Sequence, residues 1–159
     1  ILSQRGFVLS PNRCRTPVNS FEQLEARTLM AAQSPYNGAP FAVGATPVTI
    51  QAEHFDLGGQ DVAYFDNSAG NGGATAFRAG EDVDLKGIAG GGYRINGAYA
   101  GEWTEYTADV ATAGTYTLES RVSSQGSAGT FHVERRDAAT DALGENLTGT
   151  LTIPNTGGE

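Results

Sequence analysis

Cysteine is nearly absent from the sequence, and so are histidine and long apolar runs. Cys14 is the single cysteine among 159 residues, so no disulfide can form within the chain. No apolar stretch approaches the ~20 residues of a membrane-spanning helix. His54 and His132 are the only histidines and lie far apart in the sequence, which argues against a zinc site. We therefore expect a fold held together by packing or by a metal other than zinc.

Basic residues are scarce as well. The chain has 10 Lys and Arg against 18 Asp and Glu, a net charge of −8. Four arginines and two glutamates give residues 1–33 a charge of +2, which leaves −10 on residues 34–159. Nucleic acids and anionic membranes bind to clusters of Lys and Arg. The acidic part of the chain therefore excludes both as partners and favours neutral ligands or cations.

Composition divides the chain into three parts. Residues 1–33 show little hydrophobic periodicity, and we interpret them as a mostly disordered leader or sorting segment. Residues 34–47 are rich in Pro, Gly and Ala, which is typical of a linker. Residues 48–159 form the expected folded domain. Because the chain begins with isoleucine, we expect a fragment whose export signal lies further upstream.

The segment FEQLEARTLMAA, residues 21–32, has helix-forming composition. It resembles the leader box of extracellular bacterial proteins, and it predicts a secreted or cell-surface location. A surface helix or a disordered tail explains the same composition equally well.

Short β-favouring runs alternate with glycine-rich turns from residue 48 onward. None of them keeps a helical period, which predicts an all-β, antiparallel β-sandwich. The acidic loops around Asp66 and Asp82 lack the terminal glutamate of an EF-hand, and we interpret them as solvated. The β-favouring runs are VTIQAE, DVAYF, GYRIN, AGEWTEYTADV, GTYTLESRVSS, GTFHVERR and LTGTLTIP.

Strand alternation predicts a polar face that contains the only tryptophan. In AGEWTEYTADV it places Trp103 and Glu105 opposite Tyr106. In GTFHVERR it turns His132 and Glu134 outward. A flat aromatic ring among hydrogen-bonding groups suits the apolar face and hydroxyl rim of a sugar. The open alternative is that Trp103 only packs beneath a loop.

Four segments together resemble the family 6 carbohydrate-binding modules, which are jelly-roll β-sandwiches attached to secreted polysaccharide-degrading enzymes. The resemblance covers residues 48–159, and the related family 35 modules share much of the pattern. It implies non-catalytic binding of a polysaccharide or oligosaccharide by a module tethered to a catalytic or surface domain. The segments are IQAEHFDLGGQDVAYFDNSAGN, FRAGEDVDL, GGGYRINGAYAGEWTEYTADV and AGTYTLESRVSS.

The resemblance also implies two sugar sites. In the sheet site Trp103 is the platform, and Glu105, His132 and Glu134 occupy neighbouring outward positions. In the loop site the usual aromatic position is Gly97 here, and Tyr99 or Tyr93 would substitute out of register. The second aromatic ring of that site is expected at or beyond Glu159, so the chain as given lacks the usual loop site. The expected sugar contacts are therefore Trp103, Glu105, His132, Glu134 and Tyr99.

A structural calcium is the third implication of the resemblance. Gln51 and Glu53 match two of the family's ligands, and their oxygen atoms suit calcium. A late aspartate that completes the shell lies past Glu159, so the sandwich is expected to be incomplete at its C-terminus. The alternative for Gln51 and Glu53 is a solvated edge strand.

Two other functions compete with sugar binding. Glu102 and Glu105 would be the carboxylate pair of a glycosidase, but three residues apart on a strand they point to opposite faces. We therefore expect no enzyme in this chain, and any catalytic domain of a full-length parent lies elsewhere. A structural or adhesive extracellular β-sandwich that binds no sugar remains the alternative.

Overall fold

The computed structural model describes residues 32–126, 129–137 and 142–158. The predicted leader segment, except for residues 32 and 33, lies outside the described residues together with Cys14. The chain divides into two compact units, Ile1–Thr112 and Ala113–Glu159. Each unit is built from short strands that pair two by two.

The described residues contain ten strands, one 3-10 helix and no α-helix. In the first unit β2 pairs with β5 and β3 with β4, both antiparallel, whereas β1 runs parallel to β6. In the second unit β7 pairs with β10 and β8 with β9, both antiparallel. The predicted all-β class is therefore confirmed. The strands are β1 Phe41–Val43, β2 Tyr64–Phe65, β3 Leu85–Gly87, β4 Tyr93–Ile95, β5 Trp103–Thr104, β6 Ala108–Val110, β7 Thr130–Phe131, β8 Glu134–Arg136, β9 Leu143–Asn146 and β10 Leu151–Thr152.

Two of the predicted strands are absent. In VTIQAE the chain turns into the 3-10 helix Ala52–His54, where the amide of His54 donates to the carbonyl of Gln51 over 2.9 Å. In GTYTLESRVSS residues 115–124 form no strand. The β propensity of a segment is realised only when a partner strand and a buried face are available. The segment 34–47, predicted as a linker, contains β1 and a bridge from Ser34 to Leu57.

The buried core lies in the first unit. Five residues form it, and the rings of Phe55 and Tyr64 meet edge to face with centroids 5.5 Å apart. Partly buried rings of Phe77 and Tyr106 and the side chain of Ile95 pack against this cluster. Aromatic pairs of this geometry stabilise a core beyond the area that they bury. The five core residues are Phe55, Ala63, Tyr64, Val83 and Leu85.

Arg78 fastens the loop that carries Phe55. Its guanidinium lies 3.4 Å from the centre of the Phe55 ring and donates to the main-chain oxygens of Glu53, Phe55 and Asp56. Glu81 accepts two further hydrogen bonds from it and supplies the opposite charge. Since Arg has five donors in a fixed fork, one side chain satisfies several carbonyls at once. The loop is thereby held in one position above the core.

Asp56 connects the same loop to the segment after β5. The side chain is fully buried, and its carboxylate accepts hydrogen bonds from the Gln33 amide at 2.8 Å and from the amide and hydroxyl of Thr107 at 3.1 and 2.5 Å. Burial of a carboxylate is tolerated when its oxygens receive donors. Asp56 therefore fixes residues 105–107 against the core.

A glycine-rich loop lies against β3. The side chain of Asn71 accepts hydrogen bonds from the amides of Leu85 and Gly73, at 2.9 and 3.1 Å. A Cβ atom on Gly73 would come within 1.7 Å of the carbonyl oxygen of Leu85. Position 73 therefore requires glycine because main chain approaches main chain there.

Candidate functional site

An open depression of about 140 Å³ lies beside the paired strands β2 and β5. Its apolar lining includes Phe65 and Trp103, and the buried side chain of Val83 also contributes to it. The polar residues that line it are Asp66, Asn96, Glu102 and Thr104. This combination of a flat aromatic surface with several acceptor oxygens is typical of sites that bind a small polar ligand.

The register of β2 and β5 explains why the tryptophan lines the depression. Phe65 is paired with Trp103, and Tyr64 is paired with Thr104. Directly opposed residues share a face of the sheet, and neighbours along a strand point to opposite faces. Because Tyr64 belongs to the core, Phe65 and Trp103 point away from it. The half-buried indole forms one wall of the depression.

A tight turn carries Glu102 to the edge of the depression. The Glu102 amide donates to the Tyr99 carbonyl over 3.2 Å, and Gly101 has a φ of +92°, as the third position of a type II turn requires. The Glu102 carboxylate accepts hydrogen bonds from the main-chain amides of Tyr99, at 2.7 Å, and of Asn67, at 3.3 Å. Both carboxylate oxygens are thus held in place by main chain.

Tyr99, a predicted sugar contact, is 65% exposed in the same turn and is not among the residues that line the depression. It neighbours Ala98, which does line it. Gly97, at the position where the loop site usually has an aromatic ring, has a backbone φ of +66°. Tyr99 therefore lies beside the depression but does not form part of its lining.

Asp66 is the most buried polar residue of the depression, with a relative exposure of 8%. Its main-chain amide and carbonyl are bonded to the side chain of Gln60, at 3.1 and 2.8 Å. Its Oδ1 accepts the amide and the hydroxyl of Ser68, at 2.8 and 2.7 Å. The prediction that this loop is simply solvated is wrong at Asp66, because the carboxylate is folded back into the protein.

Two tyrosine hydroxyls lie close to these strands. Tyr64 accepts a hydrogen bond from the Asp82 amide at 3.0 Å, and burial raises the pKa of Tyr64. Tyr106 donates to the Ala52 carbonyl over 2.8 Å, and burial likewise raises the pKa of Tyr106. Both hydroxyl groups therefore stay protonated to a higher pH than an ordinary tyrosine hydroxyl.

Glu105 lies two residues beyond Trp103 but does not line the depression. Its main chain bridges two segments, since its amide donates to the Ala63 carbonyl and its carbonyl accepts the Asp56 amide, both at 2.9 Å. Its side-chain Oε1 is buried. The structure thus places Glu105 in the packed part of the first unit.

His132 and Glu134 belong to the second unit. The structure brings these two together, with 3.3 Å between His132 Nε2 and Glu134 Oε2. Their side chains are 48% and 37% exposed. They form an exposed pair in which His132 directly follows β7 and Glu134 begins β8.

Gln51 and Glu53, the predicted calcium ligands, lie at the start of the 3-10 helix and within it. Gln51 is exposed, whereas Glu53 is buried and its Oε1 accepts the Tyr93 amide over 3.0 Å. Within the described ranges, no three or more His, Cys, Asp and Glu side chains gather in a way that would hold a metal. A calcium here would therefore also need amide or main-chain oxygens.

Sequence reasoning missed Phe65, Asp66, Asn96 and Glu102 as companions of Trp103. Phe65 had a signal, since it alternates with Tyr64 in DVAYF just as Trp103 alternates with Thr104. Asp66 and Asn96 had no such signal. Each directly follows a short strand, and alternation along one strand does not show which residues of another segment lie beside it.

No helix in the part of the chain that the structure describes has the length and apolar character needed to cross a bilayer.

Comparison with known proteins adds a family assignment to this geometry. The sequence model of one protein family, described as carbohydrate binding module (family 6), matches residues 73–159, which is more than half of the chain. A search of curated proteins gave no match. The matched segment contains Trp103, Glu102 and Asn96 of the depression. The chain therefore belongs to the family 6 carbohydrate-binding modules, which are β-sandwiches that bind carbohydrate without catalysing its cleavage.

Proposed function

We propose that the depression beside β2 and β5 is the carbohydrate-binding site of this module and that Trp103 packs against the sugar ring. The observation that carries this proposal is the indole of Trp103 as one wall of an open depression that also holds Asp66, Asn96 and Glu102. The indole suits the C–H face of a pyranose, and the carboxylate and amide oxygens suit its hydroxyl groups.

Binding at a site of this size is expected to be weak. Covering one sugar ring contributes about 1.5–3 kcal/mol through apolar burial, and each net hydrogen bond adds about 1 kcal/mol. After the loss of translational and rotational freedom, dissociation constants of roughly millimolar to micromolar remain. Weak binding is useful when the module is tethered to another domain, which it would keep close to a polysaccharide. We include such an attached domain and a secreted or cell-surface location in the proposal.

Affinity electrophoresis on a panel of soluble polysaccharides tests the proposal. A polysaccharide that is bound retards the protein, and Trp103→Ala should abolish the retardation because it removes the aromatic wall. Tyr116→Ala is the matched control, since Tyr116 is an exposed ring outside the depression. Retardation that survives Trp103→Ala would place the site elsewhere. If no glycan retards the wild type, an adhesive domain becomes the better account.

The predicted roles of Glu105, His132 and Glu134 in sugar binding stay predictions. His132 and Glu134 are exposed side chains that already contact one another, so a glycan would have to bind the pair as a unit. Loss of affinity in His132→Ala together with Glu134→Ala would show that this pair also contributes to glycan binding. Unchanged affinity would confine the site to the depression.

We also propose a structural calcium at Gln51 and Glu53. In support, Glu53 is buried to a relative exposure of 5%, and only its Oε1 accepts a hydrogen bond from the described residues. The second carboxylate oxygen of Glu53 is thus available to a hard cation, and the exposed amide of Gln51 would add an oxygen ligand. Calcium should then raise the melting temperature relative to EDTA in the wild type and not in Glu53→Gln. Equal melting temperatures in calcium and in EDTA would refute it.

A further inference from the structure

We propose that the depression selects its sugar by charge: it prefers sugars with a free amino group and rejects uronates. This inference rests on the proposed function, because it concerns which glycans enter the same site. It follows from the sign and the hydrogen-bonding state of the groups that line the depression.

Asp66 places a shielded negative charge at the depression. The side chain is more than nine-tenths buried, and both hydrogen bonds that it accepts, from Ser68, go to Oδ1. Within the described ranges, no residue donates to Oδ2. Oδ2 therefore remains able to accept a hydrogen bond from a ligand. Because Asp66 is shielded from most of the solvent, a hydrogen bond from a ligand gains more there than at an exposed carboxylate.

Glu102 places a second negative charge at the same depression. Main-chain amides of Asn67 and Tyr99 hold its two oxygens, which fixes the carboxylate and leaves each oxygen able to accept another donor. Asn96 adds only a neutral amide, and no Lys or Arg is among the described residues that line the depression. Arg94 precedes Ile95 on β4 but is not part of the lining.

An ammonium group matches this lining better than any other sugar substituent. It offers three donors and a positive charge to Asp66 and Glu102, and hydrogen bonds between charged groups are about twice as strong as neutral ones. The indole of Trp103 attracts a cation that lies over its face. A uronate would instead bring a third carboxylate beside two others, with no cation in the lining to neutralise it. The charge of −10 on residues 34–159 repels polyanions at longer range as well.

Two pairs of ligands separate charge from ring shape. The first pair is a chitosan oligosaccharide and its fully N-acetylated form, which have the same rings and differ in the ammonium groups. The second pair is an oligogalacturonate and its methyl ester. By isothermal titration calorimetry at low ionic strength, the amino form should bind about tenfold more tightly than the acetylated form, as one charged hydrogen bond allows. Added salt should narrow that ratio. The ester should bind and the free galacturonate should not.

Variants assign the selectivity to residues. Asp66→Asn keeps an oxygen for Ser68 and removes the charge, so it should remove most of the preference for the amino form. Asp109→Asn is the matched control, because it removes one exposed negative charge on β6 outside the depression and should keep the preference. Thermal unfolding shows whether Asp66→Asn folds. If it does not, Glu102→Gln is the second variant, and it should also reduce the preference for the amino form.

The outcomes distinguish this inference from the proposed function. Equal affinity for the amino and acetylated forms, or equal affinity for galacturonate and its ester, overturns the charge selection while sugar binding stands. A preference that persists in both Asp66→Asn and Glu102→Gln overturns it also. If the wild type binds none of the four ligands and no polysaccharide of the panel, the proposed function fails and the charge selection fails with it.

Discussion

Both units of the molecule are built from short strands paired two by two, but they differ in what the strands cover. The described part of the first unit encloses five buried hydrophobic residues and the buried carboxylates Glu53, Asp56 and Asp66. None of the described residues of the second unit is buried. There, side chains fasten hairpins locally, as when Asn146 accepts the amides of Thr148 and Gly149, at 3.1 and 2.7 Å. Strand pairing alone thus orders the main chain, whereas a binding site needs walls supported by a core.

The largest expected contrast between the units comes from removal of one leucine. Leu85→Ala should lower the free energy of unfolding by about 2–5 kcal/mol, because Leu85 is fully buried and the change leaves a cavity. Leu147→Ala, at a side chain that is 57% exposed in the second unit, should change it by less than about 0.5 kcal/mol. Urea unfolding measures both. Similar losses in the two variants would mean that the units are supported alike.

A smaller contrast is expected for glycine. Gly73→Ala should destabilise the first unit by about 1–3 kcal/mol, since the new Cβ would press on the Leu85 carbonyl and the loop would have to move. Gly114→Ala in the second unit meets nothing within 4 Å and should be tolerated. Thermal unfolding of the two variants side by side checks this. An unchanged melting temperature in Gly73→Ala would contradict the close approach of loop and strand.

The smallest effect is expected at alkaline pH and concerns the first unit alone. Burial raises the folded-state pKa of Tyr64 and Tyr106 above the ordinary value of 10.0. Above that value the unfolded chain loses protons that the folded chain keeps, so stability falls as pH rises from 10 through the raised pKa values. Tyr106→Phe should show a shallower decline over this window in urea unfolding than the wild type. A decline of equal slope would exclude Tyr106 as a source.

The sequence predicted the face of Trp103 and the all-β class because both depend on local alternation. The structure supports the same phase through the pairing of Phe65 with Trp103. Alternation failed at residues 48–53 and 114–124, which form no strands, because it contains no information about partner strands. Alternation also could not predict the burial of Asp66. Gln60 holds the main chain of Asp66 and Ser68 donates to its carboxylate, a geometry that a charge pattern does not specify.

The central claim, that Trp103 forms the sugar-binding wall, can be measured directly because Trp103 is the only tryptophan in the chain. Its fluorescence therefore reports on the depression alone. Titration with a polysaccharide that retards the protein in electrophoresis should produce a saturable change in the intensity or the wavelength of the emission. The midpoint should agree with the affinity measured by calorimetry. Binding of that polysaccharide with no change in the emission of Trp103 would contradict the account.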